Sequence, residues 1–154
     1  MSDATPTTDE NDALTAARAK VFEYVSSFDE VDMEEDGTAS LQYGSARVYI
    51  TVDTFDEDEA VVKVCAKVVS GAKPTPELYH TLATHQSEVG HLYAVEEPDG
   101  TVTINFSHSL LGEFLNPAEL RMTIVAVAYA ADQLDDGLAA SFGGTVHDAA
   151  SNLA

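Results

Sequence analysis

The feature that most constrains this chain is an apolar helix near the C-terminus, preceded by a strong start signal. Asn116 is a favourable N-cap, Pro117 fits the first helical position, and Glu119 can reach back to the cap nitrogen. Leu115 and Leu120 occupy the positions of a hydrophobic staple. Apolar residues then recur at helical spacing: Leu120, Ile124, Val127, Ala128, Ala131 and Leu134. We therefore predict a helix here, as the central element of the fold.

The other sides of this predicted helix are also apolar, at Met122, Val125, Ala126 and Tyr129. A helix that is apolar nearly all round is typically buried on more than one side, and we expect that here. Leu138 and Phe142 extend the helix by two turns, until Gly143 and Gly144 stop it.

The charge of the chain excludes several classes of partner. The 154 residues include 27 acidic and 7 basic side chains, for a net charge of −20. Phosphate backbones would be repelled, so we expect no nucleic acid partner. The longest uncharged helical run, residues 122–131, is shorter than the roughly 20 residues that a membrane span needs. The N-terminus lacks the basic and apolar regions of a signal peptide, which favours a cytoplasmic protein without a membrane partner.

The pattern along the chain predicts an α+β domain with the element order α-β-β-β-α-β-β-α. A first amphipathic helix carries Leu14, Val21 and Phe28 on one face, and a second runs over residues 76–89. Strands are predicted at residues 39–43, 47–52, 60–69, 92–97 and 101–110. We expect a five-stranded antiparallel sheet with the helices packed on one face.

The domain boundaries follow from composition. Residues 1–11 are predicted to be a flexible acidic tail, residues 12–144 a single domain, and residues 145–154 a C-terminal tail. Residues 29–37 are predicted to be an acidic loop. This loop copies the start of an EF-hand, but its twelfth position is Tyr43 where a bidentate glutamate is required, so calcium binding is not expected.

The sequence predicts no catalytic residue, no metal site and no cofactor. His80 and His85 are five residues apart, whereas a zinc pair on one helix face needs a spacing of three or four. Cys65 is the single cysteine, and no glycine-rich phosphate loop precedes a helix. The chain is therefore not expected to be an enzyme.

One group of residues stands out because basic side chains are so scarce. The strand alternation places these basic residues on the outer face of the sheet, away from the helices, together with Thr103 and with Tyr93 and Val95 at its margin. Six residues of this face are the candidates for partner binding: Arg47, Tyr49, Lys63, Cys65, Lys67 and Asn105. These side chains either pair with acidic neighbours across the strands or form a patch that receives a segment of a partner protein. Reversing the charge of Lys63 and Lys67 distinguishes the two alternatives.

The last helix resembles that of a known family. The run from Ala130 to Leu138 closed by Phe142-Gly143-Gly144, together with the start at residues 116–120, resembles the C-terminal signature of YbjN-like proteins. These bacterial proteins are similar in fold to the type III secretion chaperones, which have the same element order. The resemblance implies a cytoplasmic, non-enzymatic domain that binds a polypeptide segment, often as a homodimer.

In those chaperones the second helix commonly forms the dimer contact. Here that helix carries Leu78, Leu82 and His85 on one face, which could form a dimer interface or belong to the core of the domain. Strand 39–43 or strand 92–97 could receive an added strand at the sheet edge. Two other functions stay open: a regulatory domain with a small ligand between the central helix and the sheet, and an acidic immunity protein for a basic toxin.

Overall fold

The computed structural model describes residues 10–56 and 58–146 of the chain. Three helices and seven strands occur in this part. Their order is α1 (Glu10–Val25), β1 (Val31–Met33), β2 (Ala39–Tyr43), β3 (Ala46–Asp56), β4 (Glu59–Ala72), α2 (Pro76–Thr84), β5 (His91–Glu96), β6 (Val102–Leu111), α3 (Pro117–Phe142) and β7 (Thr145–Val146).

The strands form one antiparallel sheet in the order β1-β2-β3-β4-β6-β5, and β7 pairs with β4. The prediction of an α+β fold with an antiparallel sheet is confirmed. The predicted count of five strands is wrong, because β1 and β7 are additional strands. Both are too short to show an alternating pattern, and backbone pairing rather than side-chain periodicity holds them in the sheet.

Strand β1 lies within the segment that was predicted to be an acidic loop. It pairs with β2 from Val31↔Leu41 to Met33↔Ala39. Asp32 of β1 forms an ion pair of 2.6 Å with Arg47 on β3, reaching across β2. Strand β2 is therefore covered along most of its length, and β1 forms this edge of the sheet. The other predicted edge, β5, is at the edge as expected.

The ends of the domain extend beyond the predicted boundaries. Helix α1 begins at Glu10, and Thr145 and Val146 belong to β7 rather than to a tail. The remainder of the two predicted tails, residues 1–9 and 147–154, lies outside the described residues.

The core lies between the sheet and the helices, and α1 and α3 cover its central strands. Alternate residues of β3 and β4 are buried, which puts Ile50 and Val64 beneath the helices. Helix α3 packs mainly on β4 and also contacts β3 and β6, and α1 packs beside it on β3 and β4. The predicted start of α3 is confirmed, since the Asn116 side chain accepts a 2.9 Å hydrogen bond from the Glu119 backbone nitrogen. The helix ends at Phe142, before Gly143 at φ 76°.

Only one side of α3 is buried. Leu120, Ile124 and Val127 face the sheet, but Met122 is 73% exposed and Tyr129 is 64% exposed. The prediction that this helix is buried on more than one side is therefore wrong. A two-layer fold gives each helix one sheet face to cover, and in the described residues no further layer packs over α3.

Helix α2 is shorter than predicted. It ends at Thr84 because the backbone of His85, the C-cap residue, is extended. Leu78 (0% exposed) and Leu82 (8%) lie in the hydrophobic core, as one of the two alternatives anticipated, whereas His85 is exposed. The chain then reaches β5 through Gly90, where a Cβ atom would stand 2.6 Å from the Phe106 ring.

The one-sided burial of α3 makes a direct prediction about stability. Replacing Ile124 by Ala should lower the free energy of unfolding by about 2–5 kcal/mol, because the side chain is fully buried. The matched replacement of Met122 by Ala, two residues earlier on the same helix, should change it by less than about 0.5 kcal/mol. Urea denaturation measures both, and equal losses would contradict this packing.

Candidate functional site

The outer face of the sheet carries none of the described helices. Helices α1 and α3 cover the opposite face, and α2 packs against β5. The segment that leads into α2 is attached to α3, because the Lys73 backbone nitrogen donates a hydrogen bond to the Phe142 carbonyl oxygen. Tyr49 of β3 and Cys65 of β4 point outward and are half-buried, whereas Lys67 is exposed. This face is the surface on which the sequence analysis placed its candidate residues.

The strand register places all six candidates on this face. Tyr49 of β3 is opposite Cys65 of β4, which is opposite Ser107 of β6. Lys67 is opposite Asn105, which is opposite Tyr93 of β5. Lys63 and Arg47 flank these two rows. The six candidates and Tyr93 therefore lie together on one face of the sheet, and we call them the outer-face cluster.

Tyr93 is the centre of this cluster. The Lys63 Nζ atom lies 4.7 Å from the centroid of its ring, and the Cys65 Sγ atom lies 3.4 Å from its hydroxyl oxygen. The His91 ring is 5.7 Å from the Tyr93 ring. A hydrogen bond with Tyr93 raises the pKa of the Lys63 ammonium, and burial raises the pKa of Tyr93. At neutral pH the cluster therefore presents a protonated phenol and a positive charge.

The basic residues of this face differ in how they are used. Arg47 donates to Asp32 at 2.6 Å and to the Ser40 hydroxyl at 2.8 Å. The Asp32 carboxylate raises the pKa of Arg47 through this hydrogen bond. Arg47 therefore follows the alternative of cross-strand pairing with an acidic neighbour. Lys63 contacts an aromatic ring, and Lys67 is exposed.

The outer side of β6 forms a polar floor beside the cluster. Thr103 (7% exposed), Asn105 (6%) and Ser107 (1%) are buried although they point away from the core. Thr103 donates a 2.7 Å hydrogen bond to Glu97. Among the described residues, the Ser107 hydroxyl is the one buried side-chain polar atom without a hydrogen-bond partner. The floor therefore has hydrogen-bonding capacity that is not used within this part of the chain.

A second surface lies where the end of α1 meets β1. Five apolar residues and Ser26 line a groove of about 240 Å³, which we call the β1 groove: Phe22, Val25, Phe28, Val31 and Met33. Phe22 is 58% exposed and Met33 is 41% exposed. The sequence pattern does not predict this groove, because Val31 and Met33 stand in an acidic stretch. The available signal was Phe22, an aromatic residue off the face that buries Ala17, Val21 and Val25.

Other kinds of site find less support in the described part of the chain. No group of three or more His, Cys, Asp or Glu residues there could hold a metal ion. No helix within it is both long and apolar enough to cross a bilayer. The alternative of a regulatory domain places a small ligand between the central helix and the sheet. Side chains fill that interface, because three residues there are 0% exposed: Ile124, Val127 and Val64.

The fold is that of the type III secretion chaperones. The structure of the Yersinia pestis chaperone SycH, in complex with a stable fragment of YscM2, has a TM-score of 0.53 at 11% identity. The match covers 77% of this chain and 98% of that chain. ExsC in the ExsC–ExsE complex has a TM-score of 0.54 at 15% identity, covering 80% of this chain and 92% of the other.

The sequence itself gives the family. Residues 12–150 match the family described as T3SS (YopN, CesT) and YbjN peptide-binding chaperone 1, and the chain belongs to this family. No curated protein matches the chain in sequence. The resemblance found in the last helix is thereby confirmed, and the class of function is that of a peptide-binding chaperone.

Proposed function

We propose that this chain is a non-enzymatic, cytoplasmic chaperone that holds an extended segment of a partner polypeptide at the β1 edge of its sheet. The observation that carries the proposal is the β1 groove, because it places exposed apolar side chains directly beside a strand edge with which no other described strand pairs. Membership of the family of peptide-binding chaperones supports it. Two chaperones of the same fold were solved in complexes, SycH with a fragment of YscM2 and ExsC with ExsE.

The edge and the groove would act together. An edge strand presents backbone N–H and C=O groups that an added strand can pair with, which contributes affinity without sequence preference. Alternate side chains of that added strand would point toward α1, where Phe22 and Met33 can cover them. Apolar side chains in the partner are therefore preferred at every second position.

The β1 groove is tested with a peptide selected from a random-sequence display library for binding to the protein. Replacing both Phe22 and Met33 by Asp should raise the Kd of this peptide at least about tenfold, since each burial contributes about 1.5–3 kcal/mol. Calorimetry measures the Kd. The matched control is Phe55→Asp, which alters an aromatic residue that is 66% exposed and does not line the groove.

Two results would contradict the β1 groove as the binding site. One is a Kd that is unchanged in the double variant. The other is an equal loss in the Phe55 control, which would show that added negative charge alone weakens binding. Both replaced side chains are exposed, so far-ultraviolet circular dichroism should confirm that the variants fold.

We further propose that the outer-face cluster contacts the same partner segment or its continuation. Lys63 and Lys67 place positive charge on a chain of net charge −20, and the polar floor of β6 lies between them and β5. Tyr49, Cys65 and Asn105 share this surface, and Arg47 is engaged with Asp32 at its margin. Polar and acidic groups of a partner are the chemistry that such a surface would accept.

The outer face is tested by charge reversal. Changing Lys63 and Lys67 to Glu should abolish binding of the selected peptide without unfolding the domain, because neither lysine lies in the core. A control replaces Lys73, which is exposed on another part of the surface, by Glu and should leave binding largely intact. Unchanged binding in the Lys63/Lys67 variant would remove the outer face from the site while leaving the β1 groove untouched.

We also propose a homodimer through α2. Leu78 and Leu82 belong to the core, so the contact would involve the exposed side of the helix, with Tyr79 (38% exposed), His80 and the neighbouring His85. Light scattering should give a dimer mass for the protein and a monomer mass for Tyr79→Glu, with Phe114→Glu as the exposed aromatic control. A monomer of the unaltered protein at high concentration would reject this interface.

A further inference from the structure

A second apolar groove lies on the helix layer, separate from the β1 groove. It runs between α3 and the turn that joins β2 to β3, and it has a volume of about 480 Å³. We call it the α3 groove; the residues that matter here are Tyr43, Gly44, Met122, Val125, Ala126 and Tyr129. The two grooves are neighbours: Arg121, which lines the α3 groove, has its guanidinium carbon 5.2 Å from the ring centroid of Phe28, which lines the β1 groove.

The helix contributes to the α3 groove with a regular stripe. Met122, Val125, Ala126 and Tyr129 have the spacing i, i+3, i+4, i+7 that marks the buried face of an amphipathic helix. On this helix the buried face is a different one, so the stripe has no partner within the described residues. Exposed apolar side chains gathered into one concave surface are typical of a binding site rather than of solvent-facing helix.

The α3 groove continues into an acidic recess. Ser45 and Asp132 line both the α3 groove and the recess, whereas Asp135 and Asp136 line only the recess. The Ser45 hydroxyl donates a hydrogen bond to Asp132, which holds the β2–β3 turn against the helix where the two surfaces meet. One continuous surface therefore starts beside the positive charge of Arg121, is apolar from Met122 to Tyr129 and is negatively charged at Asp132, Asp135 and Asp136.

We propose that the α3 groove binds a basic polypeptide segment, with apolar side chains against Met122 and Tyr129 and a lysine or arginine beside Asp132 and Asp136. Charge decides the occupant. A second copy of this chain would bring another −20 of net charge and its own acidic recess to the contact. An apolar segment without basic residues would leave the recess unmatched.

The proposal is independent of the one for the β1 groove, because the two surfaces have no residue in common. The probe is a short synthetic peptide of leucine and lysine residues in a serine background. Its comparison peptides replace the leucines by serine or the lysines by glutamate. We expect binding of the first peptide only.

Two variants locate this binding. Replacing Met122 and Tyr129 by Ser should raise the Kd of the leucine–lysine peptide at least about tenfold, whereas the exposed aromatic control Phe114→Ser should not change it. Replacing Asp136 by Asn should also weaken binding and should reduce its dependence on salt, while Asp132 stays unchanged because it accepts the Ser45 hydrogen bond. The replaced side chains are exposed, so urea denaturation should show only the loss of about 0.5 kcal/mol per residue that serine causes within a helix.

Several outcomes would overturn the proposal. Equal binding of the serine–lysine peptide would show attraction by net charge alone. If the leucine–glutamate peptide bound as tightly as the leucine–lysine peptide, the groove would not select basic residues. Displacement of the leucine–lysine peptide by a small apolar molecule of similar affinity would show the same. A dimer that dissociates in the Met122/Tyr129 variant but not in Tyr79→Glu would show that a second copy fills the groove. Loss of library-peptide binding in the Phe22/Met33 variant bears only on the β1 groove.

Discussion

Burial of one face of β3, β4 and β6 beneath α1 and α3 is the interaction on which the rest of the structure depends. The buried residues are mostly Val, Ile and Ala, and they let the helices approach closely. At Gly112, for example, a Cβ atom would lie 3.0 Å from the Ala17 side chain of α1. Because the layer is closed on this side only, every binding surface of the domain has to lie elsewhere: on the outer face, at the strand edges or on the far side of a helix.

The surfaces differ in charge because the few basic residues are unevenly placed. Lys63 and Lys67 lie on the outer face, whereas the second half of α3 carries Asp132, Asp135 and Asp136. In our two proposals the sheet face accepts acidic or polar groups and the helix surface accepts basic ones. Different parts of a partner would then contact the two surfaces, and net charge alone describes neither.

The sequence predicted the parts of the fold that depend on side-chain pattern. The capped start of α3, the alternation of β3 and β4 and the shared face of Lys63 and Cys65 are local properties with a clear period. Strands β1 and β7 are held by backbone pairing over two or three residues, and no periodicity exists at that length. The exposure of Met122 was also beyond reach, because an apolar residue on a helix does not reveal whether a second layer covers it.

The candidate site also has a part that the sequence predicts and a part that only the structure shows. Register could place Arg47 and Lys67 on the outer face, but the contact of Arg47 with Asp32 required knowledge that residues 31–33 form a strand. The β1 groove depended on the same missing strand. The family resemblance was carried by the last helix, whose residues are consecutive in sequence and so can be recognised without the fold.

The shortness of β1 has a consequence for how the sheet edge behaves. Three residue pairs and one partly exposed ion pair hold this strand, so it is among the elements that require least free energy to detach. An incoming segment can therefore extend the ladder beyond β1 or replace β1 against β2. Replacement would detach Val31, Asp32 and Met33 from the sheet, so amide exchange at these residues would become faster on binding, whereas simple addition would leave it unchanged or slower.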